Sequence, residues 1–282
     1  MVKRGRLFTM WLGIILILLL VVSASAEAQV IVYPTSIIAS NTNRFGTFYV
    51  SNKSDRPQQI TLSFRFGYPA SDSLGNIFMQ YKDSINAPKY SCANWIKSYP
   101  RKFILPPGQR QTVRMLLSPP ADLKDGVYWT RLVTNSKPQV DFPDTSKKGV
   151  VTHIVFAIDH VTSVMFRNGK VNARTQIQKM NIKEDSTGNM EILVHLHRDG
   201  NAPFIGNTVL QIIDRSGKVI KTFDEPIAVY FDMIKKFKID PENYKSGSYS
   251  AVLTLNSKRD IIQNDPELII KPVSKEISFQ LK

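Results

Sequence analysis

Apolar and polar positions alternate in short runs along most of the chain. Every second residue is apolar across residues 60–66, and again across residues 113–117. Because successive side chains of a β-strand point to opposite faces, this spacing predicts strands with one buried and one polar face. No long segment of the sequence keeps the 3.6-residue period of an amphipathic helix, so the pattern predicts an all-β protein.

Clusters of Gly, Pro, Asn, Asp and Ser separate the predicted strands. In the first half, strands are predicted near residues 30–32, 46–50, 59–66, 102–105, 111–117, 127–134 and 151–166. In the second half, they are predicted near residues 189–197, 207–214, 218–224, 231–239, 249–255 and 276–281. The turn signal Asn168-Gly169 falls between the two groups. The sequence therefore predicts two immunoglobulin-like β-sandwich domains in tandem, at residues 29–168 and 169–282, after a signal peptide.

A weak internal repeat supports this division. Residues 125–133 correspond to residues 246–254, and in each segment a turn with a Gly leads to a Tyr that enters a strand. In immunoglobulin-like sandwiches such a Tyr returns its hydroxyl to the backbone and closes the corner before strand F. We therefore assign Tyr128 and Tyr249 as structural tyrosine corners. The alternative is an ordinary turn followed by an aromatic strand residue.

The first 28 residues show the three zones of a secretory signal peptide. Residues 3–6 are rich in basic side chains, residues 7–22 are apolar, and small residues end the segment. The Ala-x-Ala pattern fits cleavage after Ala26 and equally after Ala28. An apolar run of about 16 residues is shorter than the roughly 20 needed to cross a bilayer, which disfavours an uncut anchor helix. The mature chain is therefore expected in the periplasm, without a stable membrane span.

The charge of the chain limits the partners that we expect, and its cysteine content limits the interactions that can stabilise its fold. The formal net charge is +14, with Lys and Arg residues spread along the chain. Long basic blocks and basic segments interleaved with aromatics do not occur, which argues against nucleic-acid binding. The remaining partners for a basic exported protein are anionic lipid headgroups and acidic proteins. Cys92 is the single cysteine, so no disulfide can form within the chain and stability must come from packing.

The first domain resembles the periplasmic pilus chaperones, the PapD-like proteins, and specifically their divergent two-domain relatives in Bacteroidetes-type bacteria. The matching segments are residues 32–38, 50–55, 100–114 and 125–128, about half of the chain. The most specific of them contains Pro106-Pro-Gly-Gln109 followed by Val113-Arg114. Residues 197–204 and 226–232 look like parts of the companion domain in that group.

The resemblance implies donor-strand complementation, in which the long final strand of the first domain is lent to an incomplete pilus subunit. An extended edge strand with large apolar side chains on one face can pair with another chain and fill vacant core pockets there. Ile154, Phe156 and Ile158 share one face of the predicted strand at 151–166, and a polar loop at 135–149 precedes it. The alternative is that these three side chains fill the core of their own sandwich.

The chain departs from the family at the site that anchors the subunit. In the chaperones, an Arg on the first strand and a Lys late in the donor strand clamp the C-terminal carboxylate of the subunit. The aligned positions here are Ser36 and Ser163, which supply no positive charge. Arg131 on the neighbouring strand and Arg167 just past the donor strand are the candidate substitutes for a carboxylate anchor.

No catalytic constellation can be assembled from the sequence. His195 and His197 lie two residues apart on a predicted strand, and such a pair can share a metal ion, but no third ligand is identifiable. Two surface or interdomain histidines are the default interpretation. No phosphate-binding Gly loop, Cys-x-x-Cys or nucleophile elbow occurs in the sequence. We therefore expect a protein that is not an enzyme and that binds neither a metal nor another cofactor.

The leading functional hypothesis is a periplasmic chaperone-like protein of pilus or fimbrial biogenesis. It would bind exported subunits, pilin-like chains among them, by β-strand donation and an interdomain cleft, and would meet an outer-membrane assembly protein. The alternative is a structural or adhesive immunoglobulin-like module of a cell-surface or secretion assembly, with the same fold and no lent strand. A hydrolase or metal enzyme is a more distant third hypothesis.

Overall fold

The computed structural model describes residues 30–139, 154–184, 189–257, 259 and 268–281. The predicted signal peptide, residues 1–28, lies outside the described residues. So do residues 140–153, which include most of the predicted polar loop and the first three residues of the predicted donor strand.

Most strands of the first half are short and follow the turn signals. In chain order they are β1 (Val30–Tyr33), β2 (Ser36–Ser40), β3 (Phe45–Asn52), β4 (Gln58–Arg65), β5 (Tyr68–Ser71), β6 (Ile77–Gln80), β7 (Ile96–Tyr99), β8 (Lys102–Leu105), β9 (Arg110–Leu117), β10 (Gly126–Pro138) and β11 (Ile158–Asn168). A one-turn helix, α1 (Ala87–Tyr90), and a 3-10 turn (Ala93–Trp95) lie between β6 and β7.

The second half consists of longer strands. In chain order they are β12 (Thr175–Glu184), β13 (Met190–Arg198), β14 (Phe204–Asp214), β15 (Val219–Val229), β16 (Asp232–Ile239), β17 (Gly247–Asn256) and β18 (Val273–Leu281), with a 3-10 turn (Pro241–Asn243) between β16 and β17.

Each half forms two facing sheets. In the first half, sheet I has the order β1-β3-β9-β7 and sheet II the order β2-β11-β10-β4-β8. In the second half, sheet III is β12-β13-β16 and sheet IV is β15-β14-β17-β18, while β5 and β6 form a separate hairpin. The prediction of an all-β chain with two β-sandwiches in tandem is confirmed.

Each sandwich has its own apolar core. Phe48 of sheet I and Ile60 and Phe166 of sheet II are fully buried between the sheets of the first half. In the second half, Val194 and Leu253 are buried in the same way. Burial of one such side chain contributes about 1.5–3 kcal/mol, so the alternating buried residues of the facing sheets are a main source of stability for each sandwich.

Several strands differ from the sequence prediction for identifiable reasons. Strand β2 was not predicted because both of its faces are covered: Ile37 packs in the first core and Ile38 packs toward the second half. Strand β12 was missed because a register shift between Ile177 and Lys179 interrupts its alternation. Strand β10 continues to Pro138, into the segment predicted as a loop.

The donor strand is also shorter than predicted. Strand β11 begins at Ile158 rather than at residue 151, and residues 154–157 have no regular secondary structure. It ends at Asn168, at the turn that carries Gly169.

The two repeated Tyr positions make the same backbone contact. The hydroxyl of Tyr128 donates to the carbonyl oxygen of Lys124 at 3.1 Å, and that of Tyr249 donates to the carbonyl oxygen of Lys245 at 2.7 Å. Each bond spans four residues and closes the turn that leads into β10 or β17. A glycine with positive φ, Gly126 or Gly247, lies two residues before the Tyr in each copy.

Tyr249→Phe is expected to lower the free energy of unfolding by about 1 kcal/mol, because it removes one hydrogen bond and little apolar contact. Urea denaturation followed by circular dichroism measures the change. Tyr99→Phe is the control, since that side chain is 83% exposed and its replacement should have no measurable effect. Equal stability of Tyr249→Phe and the parent would contradict the expectation.

Candidate functional site

Three large apolar side chains are exposed at the start of strand β11 and in the residues just before it. Ile154 is 78% exposed, Phe156 is 77% exposed and Ile158 is 41% exposed. Farther along the same strand face, Val164 and Phe166 are fully buried in the first core. Ile154 and Phe156 therefore continue, at a spacing of two residues, the series of apolar side chains that β11 directs into the first core. Unlike Val164 and Phe166, they are exposed.

Strand β11 is paired differently along its two edges. Strand β10 pairs with it from Ile158 to Asn168, along its whole length. On the other edge, β2 pairs with it in parallel only from Ser163 to Arg167. Within the described residues, no strand pairs with that edge over 158–162. The first five residues of β11 therefore present a free strand edge next to the exposed apolar segment.

Three of the four sequence-predicted anchor residues fall into one row across sheet II. Ser36 of β2 pairs with Ser163 of β11, Ser163 pairs with Arg131 of β10, and Arg131 pairs with Arg65 of β4. Neighbouring strands lie about 4.8 Å apart, so the row brings two hydroxyls and two guanidinium groups to one line on the outer face of the sheet. Arg167 lies elsewhere: it pairs with Val127 and Ser40, four residues beyond Ser163.

Arg131 is a buried cation. Its side chain is 7% exposed, and its Nε donates to the carbonyl oxygen of Gly67 at 3.0 Å. The guanidinium carbon lies 5.3 Å from the centre of the Tyr230 ring, a cation–π contact with the second half. Among the described residues, no carboxylate forms an ion pair with Arg131. Since burial of an unpaired charge is costly, the group is suited to receive an anion.

The Ser36 hydroxyl lies at the end of the row. Ser36 is nearly buried, and its Oγ has no hydrogen-bond partner among the described residues. The backbone N–H of Ser163 donates to the carbonyl oxygen of Thr35 at 3.0 Å, which marks the point where β2 begins to pair with β11. The free edge of β11 therefore ends directly at Ser36.

An aromatic cluster joins the two halves beside this row. Its members are Phe66, Tyr68, Tyr90, Trp129, Tyr230 and Phe231. The Trp129 ring is fully buried, with the Tyr230 ring centre 4.8 Å away and the Tyr90 ring centre 5.0 Å away. Trp129 projects from the outer face of sheet II, two residues before Arg131. The cluster thus holds the second half against the outer face of sheet II. This face carries the row of Ser36, Ser163, Arg131 and Arg65, which we call the anchor row.

Arg198 of β13 closes this cluster from the second half. Its guanidinium carbon lies 4.7 Å from the Phe231 ring centre and 4.8 Å from that of Tyr90. Its Nη2 donates to the Tyr90 hydroxyl at 3.0 Å. The sequence pattern does not reveal this group, because its members are distributed over residues 66–231 and only folding brings them together. The available signal was the consecutive apolar residues 127–129, which place apolar side chains on both faces of one strand.

The His pair of β13 is engaged with other side chains. His195 Nε2 lies 3.5 Å from Asn181 Nδ2, and His197 Nδ1 lies 2.6 Å from Asp232 Oδ1. Within the described residues, no group of three or more His, Cys, Asp or Glu side chains has the arrangement of a metal site. Among the residues that the structure describes, no helix has the length and apolar character needed to span a bilayer.

His160 lies on the free-edge part of β11. Its Nε2 is buried and has no hydrogen-bond partner among the described residues. Burial lowers the pKa of the imidazole below its ordinary value of 6.5, and the neighbouring Asp159 carboxylate opposes this shift. The folded protein therefore favours the neutral imidazole at this position.

Comparisons with known proteins find similarity only to solved structures. No family model and no curated protein matches the chain. The YadV chaperone aligns with a TM-score of 0.46 and 10% identity, over 89% of this chain and 100% of that chain. The chaperone–tip adhesion subunit complex CsuC–CsuE of Acinetobacter baumannii archaic chaperone-usher pili aligns with a TM-score of 0.44 and 12% identity, over 88% of this chain and 98% of that chain.

A third similar structure is the Salmonella enterica SafA pilin in complex with the SafB chaperone. It aligns with a TM-score of 0.43 and 12% identity, over 90% of this chain and 99% of that chain. These TM-scores are all below 0.5, so the similarity assigns no function to the present chain.

Mild acid is expected to destabilise the fold through His160. The unfolded chain, with the ordinary pKa of 6.5, binds a proton more readily than the folded chain, so the free energy of unfolding falls as the pH drops below that value toward the lowered pKa. His160→Gln should flatten the pH dependence of the urea midpoint between about pH 7.5 and about pH 5.5. The same slope in the parent and the variant would exclude this cause.

Proposed function

We propose that the protein is a periplasmic chaperone-like protein that lends the free edge of β11 to an exported, pilin-like or other surface subunit. The observation that supports this best is the exposed apolar face of Ile154, Phe156 and Ile158 next to an unpaired strand edge. The proposed activity involves no bond-making chemistry and no metal or cofactor.

The exposed segment has a composition suited to a partner chain. Residues 154–158 are consecutively apolar, and a run of this kind next to a free strand edge is prone to associate with another chain. Transfer of each large side chain from water into an apolar pocket contributes about 1.5–3 kcal/mol. A client sandwich that lacks one strand offers both the pockets and the unpaired backbone groups to which this segment is complementary.

In this proposal, the client strand ends where β2 begins. A strand laid along residues 158–162 of β11 occupies the line that β2 fills from Ser36 onward. The client strand cannot continue past that point, because β2 already pairs with Ser163–Arg167 there. If the client strand runs parallel to β11, as β2 does, its last residue lies against Ser36 and Ser163.

The row across sheet II then supplies the contacts for a terminal carboxylate. Arg131 provides the positive charge, and the hydroxyls of Ser36 and Ser163 can donate hydrogen bonds. This set differs from the Arg and Lys pair of the pilus chaperones, because the cation proposed to bind the carboxylate comes from β10. Arg65, the other guanidinium group of the row, lies 3.9 Å from the Asp159 carboxylate. Arg167 is a poorer candidate, since four residues along the strand separate it from Ser163 by about 13 Å.

The second sandwich completes the cleft in this proposal. Its Tyr230 packs over Arg131, and the aromatic cluster around Trp129 keeps it in that position. The anchor row therefore lies at the edge of the contact between the two halves. An outer-membrane assembly protein is the proposed recipient of the captured subunit.

Phe156→Asp is expected to abolish capture of the client, because it places a charge where the lent strand should fill an apolar pocket. The tagged protein and the variant are purified from the envelope of the source cells, and the chains that accompany them are compared by mass spectrometry. Co-purified client should fall at least about tenfold, the effect of a loss of about 1.4 kcal/mol.

The control is Ile85→Asp, which makes the same kind of change at a side chain that is 72% exposed and distant from β11 in the sequence. It should retain the client. Full retention by Phe156→Asp, with an unchanged urea midpoint, would exclude strand lending at this segment.

Arg131→Gln is expected to weaken binding of the same client by about 10- to 100-fold, because a charge-assisted contact with the terminal carboxylate is lost. The affinity is measured with the client that the previous experiment identifies. The parent should also bind a client with an amidated C-terminus more weakly, whereas Arg131→Gln should bind the free and amidated forms equally. Arg167→Gln is the matched control, and a loss with Arg167→Gln in place of Arg131→Gln would assign the anchor to the other arginine.

A further inference from the structure

The outer face of sheet I combines cations with exposed aromatic rings. Phe45 and Tyr33 are each 66% exposed and Tyr99 is 83% exposed, while Lys97, Arg110 and Arg114 are exposed on the same face. By their alternation with the buried residues of β1, β3, β7 and β9, these side chains all point away from the core. None of the outward-facing positions in these four strands is Asp or Glu.

The strand register places a cation in the middle of this face. Arg114 lies on β9, an inner strand of sheet I, between Thr47 on one side and Tyr99 on the other. The next row consists of Phe45, Leu116 and Lys97. The most exposed aromatic side chains thus lie on the outer strands and at the end of the sheet, around a central guanidinium group.

Ion pairs within the described residues do not neutralise the charges of this face. Within the described residues, no carboxylate forms an ion pair with Lys97, Arg110 or Arg114. Arg110 instead stacks on the Tyr49 ring, with its guanidinium carbon 3.6 Å from the ring centre. An anionic surface is therefore the complementary partner for the face.

We propose that the outer face of sheet I binds the surface of an anionic lipid bilayer. Aromatic side chains prefer the headgroup level of a membrane, and Lys and Arg are attracted to anionic lipids in the same layer. A protein interface usually has an apolar centre and a polar rim, whereas this face has a cation at its centre and aromatic rings around it. A sheet face of this composition fits a headgroup layer more closely than it fits the apolar centre of a protein partner.

This binding would be independent of strand lending. Sheet I and sheet II enclose the first core, so the outer face of sheet I points away from Arg131 and from the second half. A molecule lying on a bilayer through sheet I keeps the free edge of β11 accessible from the side. Phe156→Asp should accordingly bind vesicles as the parent does.

The test uses the exported protein, purified after removal of the predicted signal sequence and with its first residue verified by mass spectrometry. Co-sedimentation is measured with phosphatidylcholine vesicles that contain phosphatidylglycerol, and with vesicles of phosphatidylcholine alone. The parent should bind only the anionic vesicles. The double substitution Lys97→Gln, Arg114→Gln should weaken binding roughly 30-fold, the loss expected for two cations at the membrane surface.

Two further variants distinguish a lipid surface from net charge and from acidic polypeptides. Arg215→Gln, Lys218→Gln removes the same charge from the exposed β14–β15 turn and should leave vesicle binding unchanged; an equal loss would overturn the proposal in favour of net charge alone. Phe45→Ser, Tyr99→Ser keeps all charges and should weaken vesicle binding about tenfold. If this aromatic variant binds vesicles normally, or if the parent binds soluble polyglutamate as tightly as anionic vesicles, the face takes acidic polypeptides instead and the proposal fails.

Discussion

The unequal pairing of β11 is the constraint on which the candidate site depends. Strand β10 holds β11 along its full length, so the strand stays in place without help from its other neighbour. Strand β2 covers only the second half of the remaining edge. A strand that is anchored on one side and open on the other can accept a partner strand without any rearrangement of its own sandwich. The same arrangement explains why Ile158 is exposed while Phe166, on the same face, is buried.

The contact between the two halves has electrostatic consequences for the open end of β11. The aromatic cluster around Trp129 excludes water from the outer face of sheet II, and Arg131 lies at the border of this region under Tyr230. A charge in such surroundings interacts with an anion more strongly than an exposed charge does, because solvent screening is weaker. One buried guanidinium group with two neighbouring hydroxyls can therefore replace a pair of exposed cations as an anion site. The stacking of Arg198 on Tyr90 and Phe231 keeps the second sandwich in the position that this requires.

Much of the fold followed from alternation in the sequence, and the exceptions have physical causes. Strand β8 lies at the residues where it was predicted, because its turn signals are unambiguous. Strand β2, which is covered on both faces, and strand β12, which contains a bulge, both lack the two-residue period on which the prediction depended. For the candidate site, the sequence identified the shared face of Ile154, Phe156 and Ile158. It could not decide between burial and exposure, since periodicity reports which residues share a face and not what lies opposite them. The alignment of Ser36, Ser163 and Arg131 in one row likewise depends on register, which single-sequence patterns do not contain.

The two recognition surfaces proposed for the first sandwich, the free edge of β11 and the outer face of sheet I, need different compositions that a single surface could not combine. The proposed strand-lending edge needs apolar residues at alternate positions on one face and a free backbone, and a charge on that face would oppose insertion into a client core. The outer face of sheet I instead interleaves cations with aromatic rings, a pattern that would be unfavourable in an apolar pocket and favourable at a headgroup layer. Because the core lies between them, a change of charge on sheet I is about 10 Å or more from the edge of β11 and acts on it only weakly at physiological ionic strength. The distribution of charge over the first sandwich is therefore consistent with two recognition surfaces that operate side by side, one for a polypeptide strand and one for an anionic layer.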